Sequence, residues 1–141
     1  MIIVDTNIIL ALTDTRDDDH ERCKRWFDQL APDVTLYVPP TVIAEVCYLV
    51  NREVGPEAEA AVLDDIGDGD RYTYQLVDLL NEDIRRMADL VRQYADREMG
   101  GTDASIVAVA ERLKINTVAT INRKDFDNVR PKHVPALSIV P

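Results

Sequence analysis

The chain has 141 residues, 46% of them hydrophobic, which suits one globular domain with a real core rather than two domains. No apolar run approaches the length of a membrane span and no signal-peptide pattern precedes Asp5, so we expect a cytoplasmic protein. Two distant cysteines, Cys23 and Cys47, and two histidines without metal-ligand spacing, His20 and His133, argue against a structural zinc site.

The net charge of −10 is concentrated in the first half of the chain. Residues 1–70 contain 16 acidic and 5 basic residues, whereas residues 71–141 contain 10 acidic and 11 basic residues. So acidic a protein repels polyanions in bulk, and tight non-specific binding of nucleic acid is therefore not expected. A basic partner surface, or a cation held in an acidic cleft, fits this charge better. Adaptation to high salt is an alternative explanation of the acidic excess.

The chain begins with an apolar run that predicts a strand buried on both faces. This run, Met1–Val4, leads directly into Asp5, Thr6 and Asn7. Ligands of open α/β sheets bind just beyond the carboxyl ends of such strands, so we expect Asp5 to lie where chemistry takes place. The next apolar residues predict a short helix over Ile8–Leu12.

Three further helices and a strand are predicted before residue 67. The aspartates Asp17–Asp19 are typical of the cap and first turn of a helix, where negative charge is favourable. Leu36–Val38 predicts the second strand, and Pro40 suits the first turn of the helix that follows. Glu45 lies in that helix, beside its buried stripe. Another helix is predicted to begin at Pro56.

The second half of the chain repeats the alternation of strands and helices. Tyr72–Val77 predicts a third strand at an edge of the sheet, and a longer helix begins at Asn81 or Asp83. Thr102 is the predicted N-cap of the next helix, with Asp103 in its first turn. The apolar residues of the longer helix are expected to face the core: Ile84, Met87, Ala88, Val91, Tyr94 and Ala95.

The last part of the chain predicts two more strands, Thr117–Thr120 and Leu137–Val140, separated by a polar segment over residues 122–128. Strands that alternate with helices indicate an α/β fold with a central, mainly parallel sheet. Because no linker, repeat or low-complexity tract interrupts the pattern, residues 1–141 are predicted to form a single domain.

Four carboxylates occupy positions that such a fold brings to one edge of the sheet. Asp5 follows the first strand, Glu45 lies in the helix after the second, Asp103 begins a helix before the fourth strand, and Asp125 follows that strand. Clustered carboxylates resist ionising together, and a divalent cation removes that penalty. Mg²⁺ and Mn²⁺ prefer oxygen ligands, so these residues predict a site for one of these ions.

A site of this kind suits the hydrolysis of phosphate esters, because a divalent ion neutralises phosphate charge and acidifies bound water. Thr6, Asn7 and Thr120 offer hydroxyl and amide groups beside the carboxylates, and we expect them to orient a ligand, a water molecule or a phosphate oxygen. Purely structural interpretations remain open. Asp5, Thr6 and Asn7 are good cap or turn residues, and Asp103 favours a helix dipole. Glu45 and Asp125 also suit solvated helix and turn positions.

These residues make the chain resemble the PIN-domain ribonucleases, specifically the small single-domain VapC-type toxins of toxin–antitoxin modules. The resemblance spans almost the whole chain in the family's order, although no single motif is very specific. The matching segments are Ile2–Ile8, Val38–Val46, Gly101–Ala110 and Val118–Phe126.

The resemblance implies a three-layer α/β/α PIN-like fold and Mg²⁺- or Mn²⁺-dependent cleavage of RNA that leaves 5′-phosphate and 3′-hydroxyl ends. Asp5, Glu45 and Asp103 match the three standard acidic positions, with Asp5 and Asp103 as metal ligands and Glu45 as a ligand or water orienter. Many relatives carry an aspartate where this chain has Asn122, and others use the aspartate of the Asp-Phe pair. We favour Asp125 as the fourth acid, with Asn122 binding a water molecule.

The resemblance also implies partners. They are an RNA substrate, a second copy of the chain, and an antitoxin that inserts an arginine or lysine among the carboxylates. Bases of the second half, Arg123, Lys124, Arg130 and Lys132, are candidates for drawing RNA to the site, although a solvated surface is the simpler interpretation. For the homodimer contact, the helices around Val46–Ala61 are the predicted surface.

The absence of an acid at Asn122 favours a different interpretation, in which the chain is a non-catalytic PIN-like module for binding or assembly. A receiver-like phospho-acceptor is a remoter alternative, because the acidic pair that it needs before its first helix is missing here.

Overall fold

The centre of the computed structural model, which describes residues 1–68 and 74–141, is a five-stranded sheet. The strand order is β3-β2-β1-β4-β5 and all four pairings are parallel. Helices flank the sheet, so the predicted three-layer α/β/α class is confirmed. The strands are β1 (Ile2–Val4), β2 (Leu36–Val38), β3 (Tyr74–Leu76), β4 (Thr117–Ala119) and β5 (Ser138–Val140).

The helices occupy the segments between these strands. They are α1 (Thr6–Thr13), α2 (His20–Asp28), α3 (Pro40–Glu53), α4 (Pro56–Gly67), α5 (Asn81–Gln93), α6 (Gly101–Leu113) and the single turn α7 (Arg123–Phe126). A short 3-10 helix, Ala95–Arg97, connects α5 to the loop before α6. Because α1 begins at Thr6, only Asp5 separates it from β1.

The first strand is central because its side chains are apolar on both faces, as the sequence predicts. β1 pairs with β2 on one side, with Ile3 opposite Tyr37, and with β4 on the other, with Val4 opposite Ala119. Ile3 and Val4 are completely buried. The carboxyl ends of β1 and β4 therefore lie side by side, and the residues that follow them, Asp5 and Thr120, share one edge of the sheet.

The third strand lies at an edge of the sheet, as predicted, next to β2. It begins at Tyr74, and the first two residues of the predicted strand, Tyr72 and Thr73, lie outside the described residues.

Helix α5 presents a different face to the protein from the one predicted. Ile84 is 49% exposed and Val91 is 38% exposed, although both were expected to face the core. Ala88 and Ala95 are exposed as well; only Met87 and Tyr94 of the predicted set are at least partly buried. The inward face instead carries Asp83, Arg86 and the completely buried Leu90, and Asp83 and Arg86 form ion pairs with Arg112 and Glu111 of α6. Hydrophobic periodicity predicts that charged residues face solvent, because the pattern carries no information about ion-pair partners elsewhere in the chain.

Two predicted helix starts differ in part from the structure. Asp19 is the N-cap residue of α2, which begins at His20, but its side chain makes no capping hydrogen bond, and Asp17 and Asp18 precede the helix instead of entering its first turn. Helix α6 begins at Gly101, one residue before the predicted cap Thr102. A side chain of the helix's own first turn binds a backbone N–H at its N-terminus: Asp103 Oδ2 accepts a hydrogen bond from the Gly100 N–H at 3.3 Å.

Several large apolar side chains remain at the surface. They include Tyr48, Val54 and Leu63 on or beside α3 and α4, and Leu80, Ile84 and Val91 at α5. The predicted homodimer contact on α3 and α4 stays a prediction. No helix in residues 1–68 and 74–141 is both long enough and apolar enough to cross a bilayer.

Candidate active site

Asp5 stands at the carboxyl end of the central strand, held in one orientation by three hydrogen-bond donors. Its Oδ1 accepts from the Thr6 N–H at 2.7 Å, and its Oδ2 accepts from Asn7 Nδ2 and Thr120 Oγ1, each at 2.7 Å. The residue is only 5% exposed. An ionised carboxylate offers about four lone-pair sites, so roughly one remains free, on Oδ1. Asp5 is therefore suited to contact a ligand through a single oxygen.

The side chain of Asn7 connects the segments that follow β1 and β4. Its Oδ1 accepts a hydrogen bond from the Ile121 N–H at 3.0 Å, and its Nδ2 donates to Thr120 Oγ1 at 3.0 Å as well as to Asp5. The buried Thr120 hydroxyl also accepts from the Asn122 N–H at 3.1 Å. These neutral groups hold Asp5 without cancelling its charge.

Glu45 reaches the same edge from α3. Its Oε2 accepts a hydrogen bond from the Thr6 hydroxyl at 2.6 Å. Because the Thr6 N–H binds Asp5 and the Thr6 hydroxyl binds Glu45, one residue joins two carboxylates. Burial raises the pKa of Asp5, hydrogen bonds from Thr120 and Thr6 lower it, and the negative charge of Glu45 raises it further; the net direction is upward.

Asp103 lies in the first turn of α6, and the negative charges of the other three acids affect its pKa. Burial, and next the charge of Asp5, raise the pKa of its carboxyl to about 6. The Gly100 N–H opposes this change, while the charges of Asp125 and Glu45 add to it. The negative charges of Asp5, Asp125 and Glu45 thus all act on Asp103, and that of Glu45 acts on Asp5. That these four acids form one functional site stays a prediction.

The fourth carboxylate, Asp125, lies on the single turn α7 and accepts a hydrogen bond from Asn122 Nδ2. Burial raises the pKa of the Asp125 carboxyl, and the neighbouring Lys124 lowers it, with a net upward direction. Asn122 therefore orients the acid that we favour for this position. Its expected role of binding a water molecule stays a prediction.

None of the ion pairs within the described segments involves these four acids. Clustered negative charge without an arginine or lysine partner fits a divalent cation. However, no three His, Cys, Asp or Glu side chains in residues 1–68 and 74–141 stand close enough to hold an ion together. Mg²⁺ needs only one or two direct carboxylates when it keeps several of its waters, so a magnesium or manganese site at these acids stays a prediction.

The bases expected to draw RNA make contacts of their own. The Arg123 guanidinium donates to the Ile139 and Pro141 carbonyl oxygens at 3.3 and 3.1 Å, and that of Arg130 donates to the Asp127 and Val129 carbonyls. These contacts favour a structural role for both arginines.

A cavity of about 630 Å³ lies elsewhere, between α1, α2 and α4. Its walls are mostly apolar, with Leu12, Phe27 and Tyr74 among them, and it contains none of the four acids. Cavity size alone would therefore direct attention away from the carboxylates.

One group at the site was missed by sequence reasoning. The Gly100 N–H holds Asp103. The spacing of Gly100 and Asp103, an acid three residues after a helix cap, is the signal that would have identified this contact.

Comparison with known proteins agrees with the resemblance. The family model described as PIN domain matches residues 2–131. The chain is 33% identical over 140 residues to Ribonuclease VapC26 of Mycobacterium tuberculosis, covering 99% of this chain and 100% of that protein.

Solved structures with the same fold include VapC20 of M. tuberculosis, described as a toxin that cleaves the sarcin-ricin loop. Its TM-score is 0.74 at 22% identity, over 84% of this chain and 87% of that one. A toxin–antitoxin complex from Klebsiella pneumoniae has a TM-score of 0.66 at 18% identity, over 97% of this chain and 99% of that one.

Proposed function

This chain belongs to the PIN domain family, and from that premise we propose that it is an endoribonuclease dependent on Mg²⁺ or Mn²⁺, acting as the toxin of a toxin–antitoxin pair. The observation that carries the proposal is that Thr6 joins Asp5 and Glu45 at the edge of the sheet where the charges of Asp5, Asp125 and Glu45 raise the pKa of Asp103, with no arginine or lysine ion-paired to any of the four in the described segments. A relative 33% identical over the full chain bears the name ribonuclease, which supports RNA as the substrate.

In this proposal Asp5 and Asp103 hold the ion, and Glu45 and Asp125 bind it or its waters. When bound, the ion supplies positive charge to the phosphate and acidifies water. Asp5 is fixed by Thr6, Asn7 and Thr120, so it keeps its position during the reaction.

The chain's other residues supply geometry. Glu45, whose Oε2 is held by the Thr6 hydroxyl, accepts a hydrogen bond from the attacking water in this proposal. Hydrolysis breaks the bond from phosphorus to the 3′ oxygen, which leaves 5′-phosphate and 3′-hydroxyl ends.

The proposed regulation is a cognate antitoxin that covers the acidic edge. A lysine or arginine inserted among the four acids supplies the positive charge that they lack within the described segments and competes with the divalent ion. The toxin–antitoxin complexes among the structures of the same fold support this partner, although their low identity with this chain shows the fold alone. A homodimer remains part of the proposal.

Replacing Asp5 by asparagine tests the proposal. Since asparagine removes one negative charge and the oxygen geometry of a metal ligand, cleavage of structured RNA in Mn²⁺ should fall by about 10²-fold or more, the scale of losing one catalytic group. The proposal expects the parent to arrest growth when it is expressed alone, and the same substitution should abolish that arrest. The matched control is Asp89→Asn, at an exposed acid on α5, which should leave both readouts unchanged.

A second variant guards against misfolding, because an amide at position 5 would face the donors Asn7 and Thr120. Asp103→Asn keeps an oxygen for the single bond from Gly100 and should lose cleavage equally. A folded Asp5→Asn chain that cuts RNA at the parental rate would show that the proposed site is wrong. Tight RNA binding without cleavage in either metal would favour the non-catalytic module.

A further inference from the structure

A pair of hydroxyls, one completely and one partly buried, connects the two helices that carry Glu45 and Asp103. Thr41, in the first turn of α3, lies with its Oγ1 2.5 Å from Oγ of Ser105 in α6. Ser105 is completely buried. We propose that the Thr41–Ser105 pair is a positioning contact that sets the spacing of Glu45 and Asp103, and hence the affinity of the acidic edge for a divalent cation. The inference rests on the proposed function.

The direction of the hydrogen bonds follows from counting protons. Ser105 Oγ lies 2.6 Å from the Thr102 carbonyl oxygen, to which it must donate because a carbonyl only accepts. A serine hydroxyl has one proton, so Thr41 is the donor to Ser105. The chain of bonds runs from Thr41 through Ser105 to the Thr102 carbonyl, which belongs to the peptide group that joins Thr102 to Asp103. A contact that begins on α3 therefore ends at the backbone of a proposed metal ligand.

On α3, the contact lies one helical turn from Glu45. Residues four apart lie on the same face of a helix, so Thr41 is one turn before Glu45 on the face that carries it. Glu45 is tied to α1 through Thr6, and Thr41 is tied to α6 through Ser105. No other side-chain hydrogen bond joins α3 to α6 within the segments that the structure describes.

Helix capping does not account for the Thr41 hydroxyl, and the local bond of the Ser105 hydroxyl is the one to the Thr102 carbonyl. A threonine in the first turn often caps its own helix, but the α3 N-terminus has no side-chain cap, and Thr41 reaches another helix instead. Ser105 is the polar residue in a buried stretch that otherwise runs Ala104, Ile106, Val107, Ala108, Val109 and Ala110. Alanine would suit such a position better unless the hydroxyl were needed.

The test is Thr41→Val, which keeps the shape of the side chain and removes the hydroxyl. Direct titration of the RNA-free protein with Mn²⁺, by calorimetry, measures cation binding without relying on cleavage. We expect the dissociation constant for Mn²⁺ to rise about tenfold, the low end of what outer-shell partners of a metal contribute. Thr41→Ser, which restores a donor, should return the parental value.

The matched control is Thr13→Val. The Thr13 hydroxyl also donates a hydrogen bond at 2.8 Å, to the Ile9 carbonyl within α1, so the same chemical change is made away from the site. Its Mn²⁺ affinity should equal that of the parent. If Thr41→Val fails to fold, Ser105→Ala removes the same contact from the other helix, together with the bond to the Thr102 carbonyl, and should give at least the same loss. The double variant should lose no more than Ser105→Ala alone, because that single change already removes both bonds.

The outcomes separate this inference from the proposed function. An unchanged Mn²⁺ affinity in Thr41→Val, with a lowered melting temperature, would make the pair merely structural and overturn the inference. A parent chain that binds no Mn²⁺ would overturn it as well. A parent that binds Mn²⁺ but cuts no RNA would overturn the proposed function, while the affinity shift of Thr41→Val would still uphold the positioning contact.

Discussion

The two ends of helix α6 treat acidic side chains in opposite ways. At the N-terminal end, Asp103 lies near three other carboxylates, and within the described segments it forms no ion pair. At the C-terminal end, Glu111 accepts two parallel hydrogen bonds from Arg86, at 2.8 and 2.9 Å, and Asp83 of α5 binds Arg112. The same helix thus joins a region of like charge to a region of matched charge.

The pKa values of two acids express this difference. Burial alone would raise the pKa of the Glu111 carboxyl, but hydrogen bonds from Arg86 and the Lys132 N–H bring it below its ordinary value. Burial raises the pKa of Asp103 to about 6, and the neighbouring acids add to that effect. Where the helix serves stability, carboxylates have cationic partners. Where we propose that it serves chemistry, they have only neutral donors, so their charge remains available for a cation.

The largest expected effect is on stability, from breaking the Asp83–Arg112 ion pair at the C-terminal end of α6, which we call the matched end because its acids have cationic partners. Asp83 is 2% exposed, so Asp83→Ala leaves Arg112 without its carboxylate in a mostly buried position. The free energy of unfolding should fall by about 3 kcal/mol, the usual cost of breaking a buried ion pair from one side. Urea denaturation followed by circular dichroism measures this.

The comparison variant is Asp89→Ala, whose partner Arg92 is exposed, and whose cost should stay below about 1 kcal/mol. Equal losses from Asp83→Ala and Asp89→Ala would mean that the matched end contributes no more than a surface ion pair.

The next effect is on the pH dependence of stability. The pKa of Asp103 is raised in the folded chain from 3.8 to about 6, so the folded state binds more protons than the unfolded state between these values. Metal-free protein should therefore gain stability from this group as the pH falls from above 6 towards 4. Glu111 acts in the opposite sense: its lowered pKa contributes stability that is lost as the pH falls through the folded value, below 4.5.

Urea midpoints at pH 7 and pH 5, for the parent and for Asp103→Asn, check this sign. The variant lacks the titrating carboxyl, so its midpoint should change less between the two pH values than that of the parent. An identical change of the urea midpoint in both proteins would mean that Asp103 does not contribute to the pH dependence of stability.

The smallest expected effect concerns the neutral donor to the fourth acid. Asn122→Ala removes the amide that binds Asp125, and the rate of RNA cleavage in Mn²⁺ should fall by up to about tenfold. The control is Asn128→Ala, at an exposed asparagine outside the helix turn that carries Asp125. An unchanged rate in Asn122→Ala would mean that Asp125 needs no such support, and would weaken its place as the fourth acid.

Much of the fold was predictable because it depends on local chemistry. The apolar run before Asp5 predicts a central buried strand, and the alternation of strands and helices predicts the parallel sheet, whose topology then brings the residues after β1 and β4 to one edge. Proline at position 40 indicates the start of α3. These features follow from a residue's own preferences and from its near neighbours.

The errors arose where a distant partner decides the outcome. Periodicity placed Ile84 and Val91 inside, but the ion pairs of α5 with α6 turn that helix so that its charged side is buried. The cap of α6 was predicted at Thr102 because the hydropathy pattern does not show the hydrogen bond from the Gly100 N–H to Asp103. The Asn7 amide binds Thr120, which is 113 residues away in sequence, and sequence spacing cannot reveal this contact.

The amino-acid sequence alone determined the strands and the fold class, because each rests on patterns only a few residues long; the role of the four acids stays a prediction. The tertiary structure alone decided which carboxylates have arginine partners and which have neutral donors. It also decided that Thr41 meets Ser105. Such pairings depend on how α3, α5 and α6 pack in three dimensions, where side chains far apart in the chain find or fail to find a partner.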